Sequence, residues 1–236
     1  MSDHIVKAYD DDLAQLKTML AQMGGLAEDQ LAKAIEALGK RDTKLADLVI
    51  ANDDKIDALE LALEERAILV IAKRQPMARD LREIMVAIRI SSDLERIGDL
   101  AKNVAKRTHA ISEQLPRKLG SGLARMGRLA LEQLTAVLDA YSSVDEAKAL
   151  DVWRSDEEID ALYNSIFREL LTYMMEDPRM IGLCTHLLFG AKNYERIGDH
   201  ATNIAENIYY LVHGKTIKDE RPKKDNTSMT NMDALT

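Results

Sequence analysis

The chain carries one helical signature twice. Residues 91–107 read SSDLERIGDLAKNVAKR and residues 191–207 read AKNYERIGDHATNIAEN. The pentapeptide Glu-Arg-Ile-Gly-Asp is identical in both, at Glu95 to Asp99 and at Glu195 to Asp199. An asparagine follows four residues later each time, Asn103 and Asn203. A spacing of four puts Glu, Asp and Asn in one row on one helix face. A glycine inside such a helix costs roughly 1 kcal/mol against alanine, so Gly98 and Gly198 predict close approach of another helix.

The repetition reaches well beyond the signature. Met23-Gly24 returns as Met126-Gly127, Gln30-Leu31 as Gln133-Leu134, and Ile56-Asp57-Ala58-Leu59 as Ile159-Asp160-Ala161-Leu162. These pairs share an offset of 103 residues, whereas the signature returns after 100, so the second copy has lost three residues near its second hairpin. The unit that repeats is three helices long. Apolar positions at helical spacing predict a first helix over 5–38, with Gly24-Gly25 kinking or interrupting it. A turn is expected at 39–43, a second helix over 44–73 and a third over 78–112, with Pro76 ending the hairpin between the last two. Pro116 and Gly120-Ser121-Gly122 read as the boundary between copies. The expected architecture is all-α: two tandem three-helix bundles, residues 1–114 and 115–214, followed by a disordered polar tail, residues 215–236.

Composition narrows the function classes. A net charge of −8 argues against a general nucleic-acid binder. The single cysteine, Cys184, excludes a disulfide framework and a cysteine-based metal site, and reads as a small core residue in a reducing, intracellular protein. The N-terminus lacks an apolar signal core, and no run approaches the ~20 apolar residues of a membrane span, so no direct membrane insertion is expected.

A second set of acids accompanies the signature. Asp53 and Asp57 on the second helix, and Asp156 and Asp160 on the fifth, are again four apart. Asp57 precedes Pro76 by as many residues as Glu95 follows it, and Asp53 mirrors Asp99. In an antiparallel hairpin the mirrored residues are level, about 28 Å from the turn at 1.5 Å per residue. Asp160 with Glu195 and Asp156 with Asp199 are mirrored about Asp177-Pro178, despite the deletion. Four facing carboxylates repel one another unless a cation lies among them or some are protonated. A hard cation held by Asp53, Asp57, Glu95, Asp99 and Asn103, and another by Asp156, Asp160, Glu195, Asp199 and Asn203, fits this pattern. All-oxygen ligands suit divalent or trivalent ions, and Mg, Mn, Fe and Ca are all compatible. Asn103 and Asn203 are equally open to a supporting or helix-contact role.

The paired E-R-I-G-D-x-x-x-N helices, their D-x-x-x-D partners and the two repeats resemble the PhoU family of bacterial phosphate-specific transport. MGGLAEDQL, IAKRQPMARDLR and LLTYMMEDPR agree with it, and the resemblance covers roughly residues 4–213. It implies two three-helix bundles related by a pseudo-twofold, each with an acidic metal site at the eight carboxylates named above. It also implies a cytoplasmic, usually homodimeric, non-catalytic negative regulator of phosphate-starvation signalling and phosphate uptake. Such a protein links the ATPase subunit of the phosphate ABC transporter to a sensor histidine kinase.

The alternative is a carboxylate-bridged di-metal enzyme. Its usual Glu-x-x-His motif is missing, as are a glycine-rich phosphate loop and any recognisable nucleophile arrangement. The five histidines, His4, His109, His186, His200 and His213, are not repeated between halves. Lys73, Arg74, Arg79 and Arg82 at the first hairpin form either a solvated basic tip or a contact for an acidic partner, and the second hairpin has no counterpart of Lys73-Arg74.

Overall fold

The computed structural model describes residues 2–111 and 117–218. Seven α-helices account for nearly all of them: α1 Ser2–Lys40, α2 Thr43–Asn52, α3 Asp54–Arg74, α4 Arg79–Ala110, α5 Arg117–Ser143, α6 Glu146–Glu176 and α7 Ile181–His213. A 3₁₀ turn, Pro178–Met180, leads into α7. The first repeat is α1 to α4 and the second α5 to α7. The fold is the all-α, tandem three-helix arrangement that the periodicity demands, and the described residues contain no strand.

Local signals start and stop the helices in the same way in each repeat. Arg41 and Val144 take left-handed φ values of 57° and 52° and turn the chain between first and second helices. The next residue caps: Asp42 accepts from the Leu45 amide at 3.0 Å, and Asp145 from the Lys148 amide at 3.1 Å. Gly214, left-handed at φ 67°, ends α7 with its amide on the Tyr210 carbonyl at 2.8 Å.

Three expectations are corrected. Gly24-Gly25 neither breaks nor ends the first helix, because α1 runs through both. A Cβ on Gly24 would lie 2.9 Å from a Leu138 methyl of α5, so the glycine admits a neighbouring helix. Its repeat partner Gly127 receives Ile35 of α1 at the same distance. Ile35 and Leu138 are themselves repeat equivalents, so α1 and α5 cross through reciprocal knob-and-glycine contacts, as a pseudo-twofold requires. Gly120 to Gly122 lie inside α5 rather than in a linker. The second helix of the first repeat is divided at Asp53, where the Ile56 amide turns back to the Asp53 carbonyl at 2.8 Å. Its equivalent α6 is continuous. Residues 219–236, most of the expected tail, lie outside the described residues.

α4 and α7 form the spine between repeats and run antiparallel. Arg82 near the start of α4 donates to the Leu211 carbonyl near the end of α7, at 3.2 Å. Asp93 meets His200 midway at 2.9 Å, and Arg107 meets His186 at 3.4 Å. Ile90, Leu94, Ile97, Ala101 and Val104 of α4, the stripe read from periodicity, are buried, as are Ile197, Ala201, Ile204 and Ile208 of α7. That leaves the acid rows of α4 and α7 for the helices of their own repeats.

Candidate metal centre

The first acid cluster lies where α2 and α3 pack on α4. Gly98 permits the approach: a Cβ there would stand 2.9 Å from the Ile56 methyl and 3.4 Å from Asp53 Oδ1. Asp53 is 1 % exposed and fully engaged. Gln30 of α1 donates to its Oδ1 at 2.7 Å and to the Gly98 carbonyl at 3.0 Å. The Lys102 ammonium donates to Asp53 Oδ2 and lies 3.4 Å from Asp99 Oδ1. Arg96 reaches Glu95 at 3.3 Å and Asp99 at 3.6 Å from the rim.

The electrostatics mark this as a shared acidic field. Burial raises the Glu95 carboxyl pKa, with Asp99, Glu60 and Asp57 adding to the effect and Arg96 opposing it. Asp57, although exposed at the surface, is raised by partial desolvation of its carboxyl, and its neighbours Asp53 and Asp99 repel its charge while Lys102 relieves it. Glu60 is raised by burial and by Glu64, so it joins the cluster as a fifth acid. The bond to Asp53 holds the Lys102 pKa above the ordinary lysine value.

The second cluster, between α6 and α7, has the same backbone plan and different occupants. A Cβ on Gly198 would meet an Ile159 methyl at 3.0 Å, Gln133 Oε1 at 3.1 Å and Asp156 Oδ1 at 3.6 Å. Asp156, Asp160 and Glu195 are 1 %, 2 % and 4 % exposed, and Asp199 is half-buried. Where the first repeat has Lys102, the second has Thr202, whose hydroxyl donates to the Gly198 carbonyl at 3.0 Å and lies 3.3 Å from Asp156 Oδ1. Lys192 bonds Glu195 Oε1 at 2.8 Å from the flank, its ammonium 4.9 Å from the Tyr163 ring. Glu195 Oε2 is buried without a hydrogen-bond partner among the described residues. Burial, with Asp199 and Asp160 repelling its charge, pushes the Glu195 carboxyl up to about 7.

The eight carboxylates therefore fall into two groups, one per repeat, on facing helices. The asparagines divide. Asn103 is half-buried on α4, whereas Asn203 donates to Asp93 Oδ1 of the opposite repeat at 3.3 Å, beside the His200 contact. As the side chains stand, no three Asp, Glu, His or Cys among the described residues converge on one point as an ion's ligands would. The donor chemistry nevertheless fits a hard cation, and the orphaned Glu195 Oε2 is the oxygen such an ion would satisfy. Gln30, Glu60, Lys102 and Thr202 escaped the sequence reading. Gln30 and Gln133 were visible as a repeat pair, and Lys102 stands three residues from Asp99, within helical reach.

Two of the four hairpin cations, Arg74 and Arg82, have internal partners. Arg74 and Arg66 both bind Asp12 of α1, at 3.0 and 2.5 Å, and Arg82 folds over the Tyr210 ring. Cys184 is buried in the core. Among the described residues, no helix is long and apolar enough to cross a membrane.

Comparison with known proteins supplies the context. The family described as "PhoU domain" matches twice, over residues 20–108 and 123–208. The chain is 57 % identical over 226 residues to a phosphate-specific transport system accessory protein PhoU homolog of Rhizobium meliloti (strain 1021), covering 95 % of each chain. It is 38 % identical over 218 residues to the phosphate-specific transport system accessory protein PhoU of Escherichia coli (strain K12), covering 92 % of this chain and 90 % of that one. The crystal structure of PhoU from Pseudomonas aeruginosa superposes with a TM-score of 0.85 at 38 % identity, covering 88 % of this chain and all of that one. The phosphate transport system regulatory protein PhoU from Streptococcus pneumoniae gives 0.83 at 30 % identity, with 89 % of this chain covered.

Proposed function

This chain belongs to the PhoU family, and on that premise we propose that it is a non-catalytic regulator of phosphate-specific transport. The accessory role itself follows from full-length similarity to accessory and regulatory proteins of that system. The finer reading is negative regulation of phosphate uptake and of phosphate-starvation signalling. In it a cytoplasmic homodimer joins the transporter's ATPase subunit to a sensor histidine kinase. The observation that carries this reading is the 57 % identity across nearly the whole chain. The long helices, up to 39 residues in α1, offer extended surfaces of the kind such an adaptor would use.

The acid clusters are the regulatory feature. Asp53, Asp57, Glu95 and Asp99 in the first repeat, and Asp156, Asp160, Glu195 and Asp199 in the second, are proposed to hold hard cations, with Asn103 as an additional donor. An ion there would supply charge neutralisation and crosslink the second and third helices of its repeat. What the chain itself does is hold carboxylates level across two helices at the price of mutual repulsion. Gln30, Gly98 and Gly198 fix the helices close enough for that. Asn203, bonded to Asp93, is a contact between repeats in this scheme.

The experiment is complementation of a strain lacking its own family member. Alkaline phosphatase made in high phosphate reports the starvation response. The wild-type chain is expected to restore repression. Alanine at Asp57, Asp99, Asp160 and Asp199 together is expected to remove bound metal and repression. Failure of the wild-type chain to repress sinks the regulatory reading, and full repression by a metal-free variant sinks the role of the ions.

A further inference from the structure

The outward face of α3 is apolar. α3 packs on α1 and α4 and buries Ile56, Leu63, Ala67 and Val70. On the opposite face Ala58, Leu61, Ala62, Ile68, Leu69 and Ala72 recur at helical spacing and stand exposed, Leu61 by 60 %, Ile68 by 62 % and Leu69 by 47 %. The stripe is about 21 Å long at 1.5 Å per residue. Three large apolar side chains in one exposed row mark a surface that meets something. The three-helix unit does not itself require them. In α6, the equivalent of α3 at the repeat offset, Asn164 replaces Leu61, Ser165 replaces Ala62 and Thr172 replaces Leu69, and α6 still buries Ile159, Ile166 and Leu170. The charges of α3 are segregated as well: Asp54 and Asp57 lie in its first turn, Lys73 and Arg74 in its last.

We propose that this stripe is a self-complementary interface: α3 packs antiparallel on α3 of a second copy of the chain, with a twofold axis at Glu65. This rests on the homodimer reading above and deepens it. In that register Leu61 faces Leu69 of the partner subunit, Ala62 faces Ile68 of the partner subunit, and Ala58 faces Ala72 of the partner subunit. Large side chains therefore meet one another or fill the space above alanine, as close helix packing requires. Asp57 faces Lys73 of the partner subunit, and the twofold repeats the pair at the other end. The charge order selects both the occupant and the direction. A parallel pair would set Asp54 and Asp57 against their own copies, whereas the antiparallel pair lays the acidic start of each helix over the basic end of the other. Glu65, the one charge in the row, meets its own copy at the axis, and that repulsion keeps the contact reversible. α6 lacks the complementarity: Glu176 stands where α3 has Lys73, so the same pairing of α6 would oppose Asp160 with Glu176. Only one repeat of each chain therefore joins, and the assembly closes as a dimer instead of extending as a filament.

The test is sedimentation equilibrium of the chelator-treated full chain, with far-UV circular dichroism checking that each variant folds. The wild type is expected to be a reversible dimer. Leu61→Asn, Ala62→Ser and Leu69→Thr together, which give α3 the residues of α6, weaken it by at least about tenfold. Glu65→Gln removes the self-opposed charge and tightens it by up to about fivefold. Cysteine crosslinking with a short bismaleimide reads the register and carries the test if the triple variant fails to fold, the native Cys184 being buried. Glu65→Cys crosslinks to itself, and Ala58→Cys crosslinks to an Ala72→Cys chain but not to itself. A wild-type dimer untouched by the folded triple variant, or self-crosslinking of Ala58→Cys, overturns the antiparallel α3 interface and leaves the homodimer reading standing. A wild type that stays monomeric overturns the interface and the homodimer reading together, while the regulatory reading answers separately to the repression assay.

Discussion

Glu195→Gln in the metal-free chain isolates the energetic cost of the second cluster. The Glu195 carboxyl titrates near 7 in the fold, against an ordinary value of 4.5. Burial is the first cause, and repulsion from Asp199 and Asp160 adds to it. A raised carboxyl pKa means that the native state holds the proton more tightly than the unfolded chain. The resulting stability is therefore fully present below about pH 4.5 and is lost as pH rises through 7. A tenfold difference in proton affinity between the folded and unfolded chain is worth about 1.4 kcal/mol, so the loss attributable to this one group is about 3 kcal/mol. Asp57, Glu60 and Glu95 are raised as well, so the wild type has further acid-favoured stability that the substitution leaves untouched. Glutamine keeps the shape and the bond to Lys192 while removing the charge. Urea unfolding of chelator-treated protein at pH 5 and pH 8 measures the effect. The wild type should lose roughly 2–3 kcal/mol more than Glu195→Gln over that interval. Equal losses would refute the argument that this carboxylate is buried at a cost. Added metal should reverse the wild-type trend, because deprotonated carboxylates are the ligands.

The remaining predictions concern the scaffold. Gly25→Ala meets nothing within 4 Å and should stabilise the chain by up to about 1 kcal/mol. Gly198→Ala places a Cβ against Ile159 and Gln133 and should cost about 1–2 kcal/mol, both read from thermal midpoints. Asp42→Ala and Asp145→Ala remove equivalent helix caps and should each cost about 1 kcal/mol in the same assay, nearly equally.

Why the acid rows were legible and their occupants were not follows from how helices encode faces. A spacing of four fixes a row along one helix, and equal distance from a hairpin proline fixes height across two. That is enough to bring Asp53 near Asp99 and Asp156 near Asp199. It says nothing about which side chains a third helix inserts. Gln30 comes from α1 and faces Asp53 only because α1 crosses behind Gly98. The length of a lysine stem, turning back along its own helix, is what brings the Lys102 ammonium to Asp53. Asn203 shows the converse. Its row position matches that of Asn103, yet Asp93 on the spine between repeats takes its amide. Row membership specifies a direction to within a helix face, which here borders both the cluster and the partner repeat.

The glycines follow the same division. A pair at Gly24-Gly25 has low helix propensity, and propensity alone favours a break there. Leu138 of α5 packs onto Gly24, and α1 continues as helix through it. Arg74 and Arg82 read as part of either a solvated basic tip or a contact for an acidic partner, and the sequence could not show Asp12 and the end of α7 beside them. What the amino-acid order determined alone was periodic and local: the helices, the duplication, the caps and the two acid rows. What tertiary structure decided was the pairing of those rows with their counter-charges, because a side chain's partners are set by inter-helix angle and distance. The same acid motif is consequently built twice, with Lys102 on Asp53 in one repeat and Lys192 on Glu195 in the other.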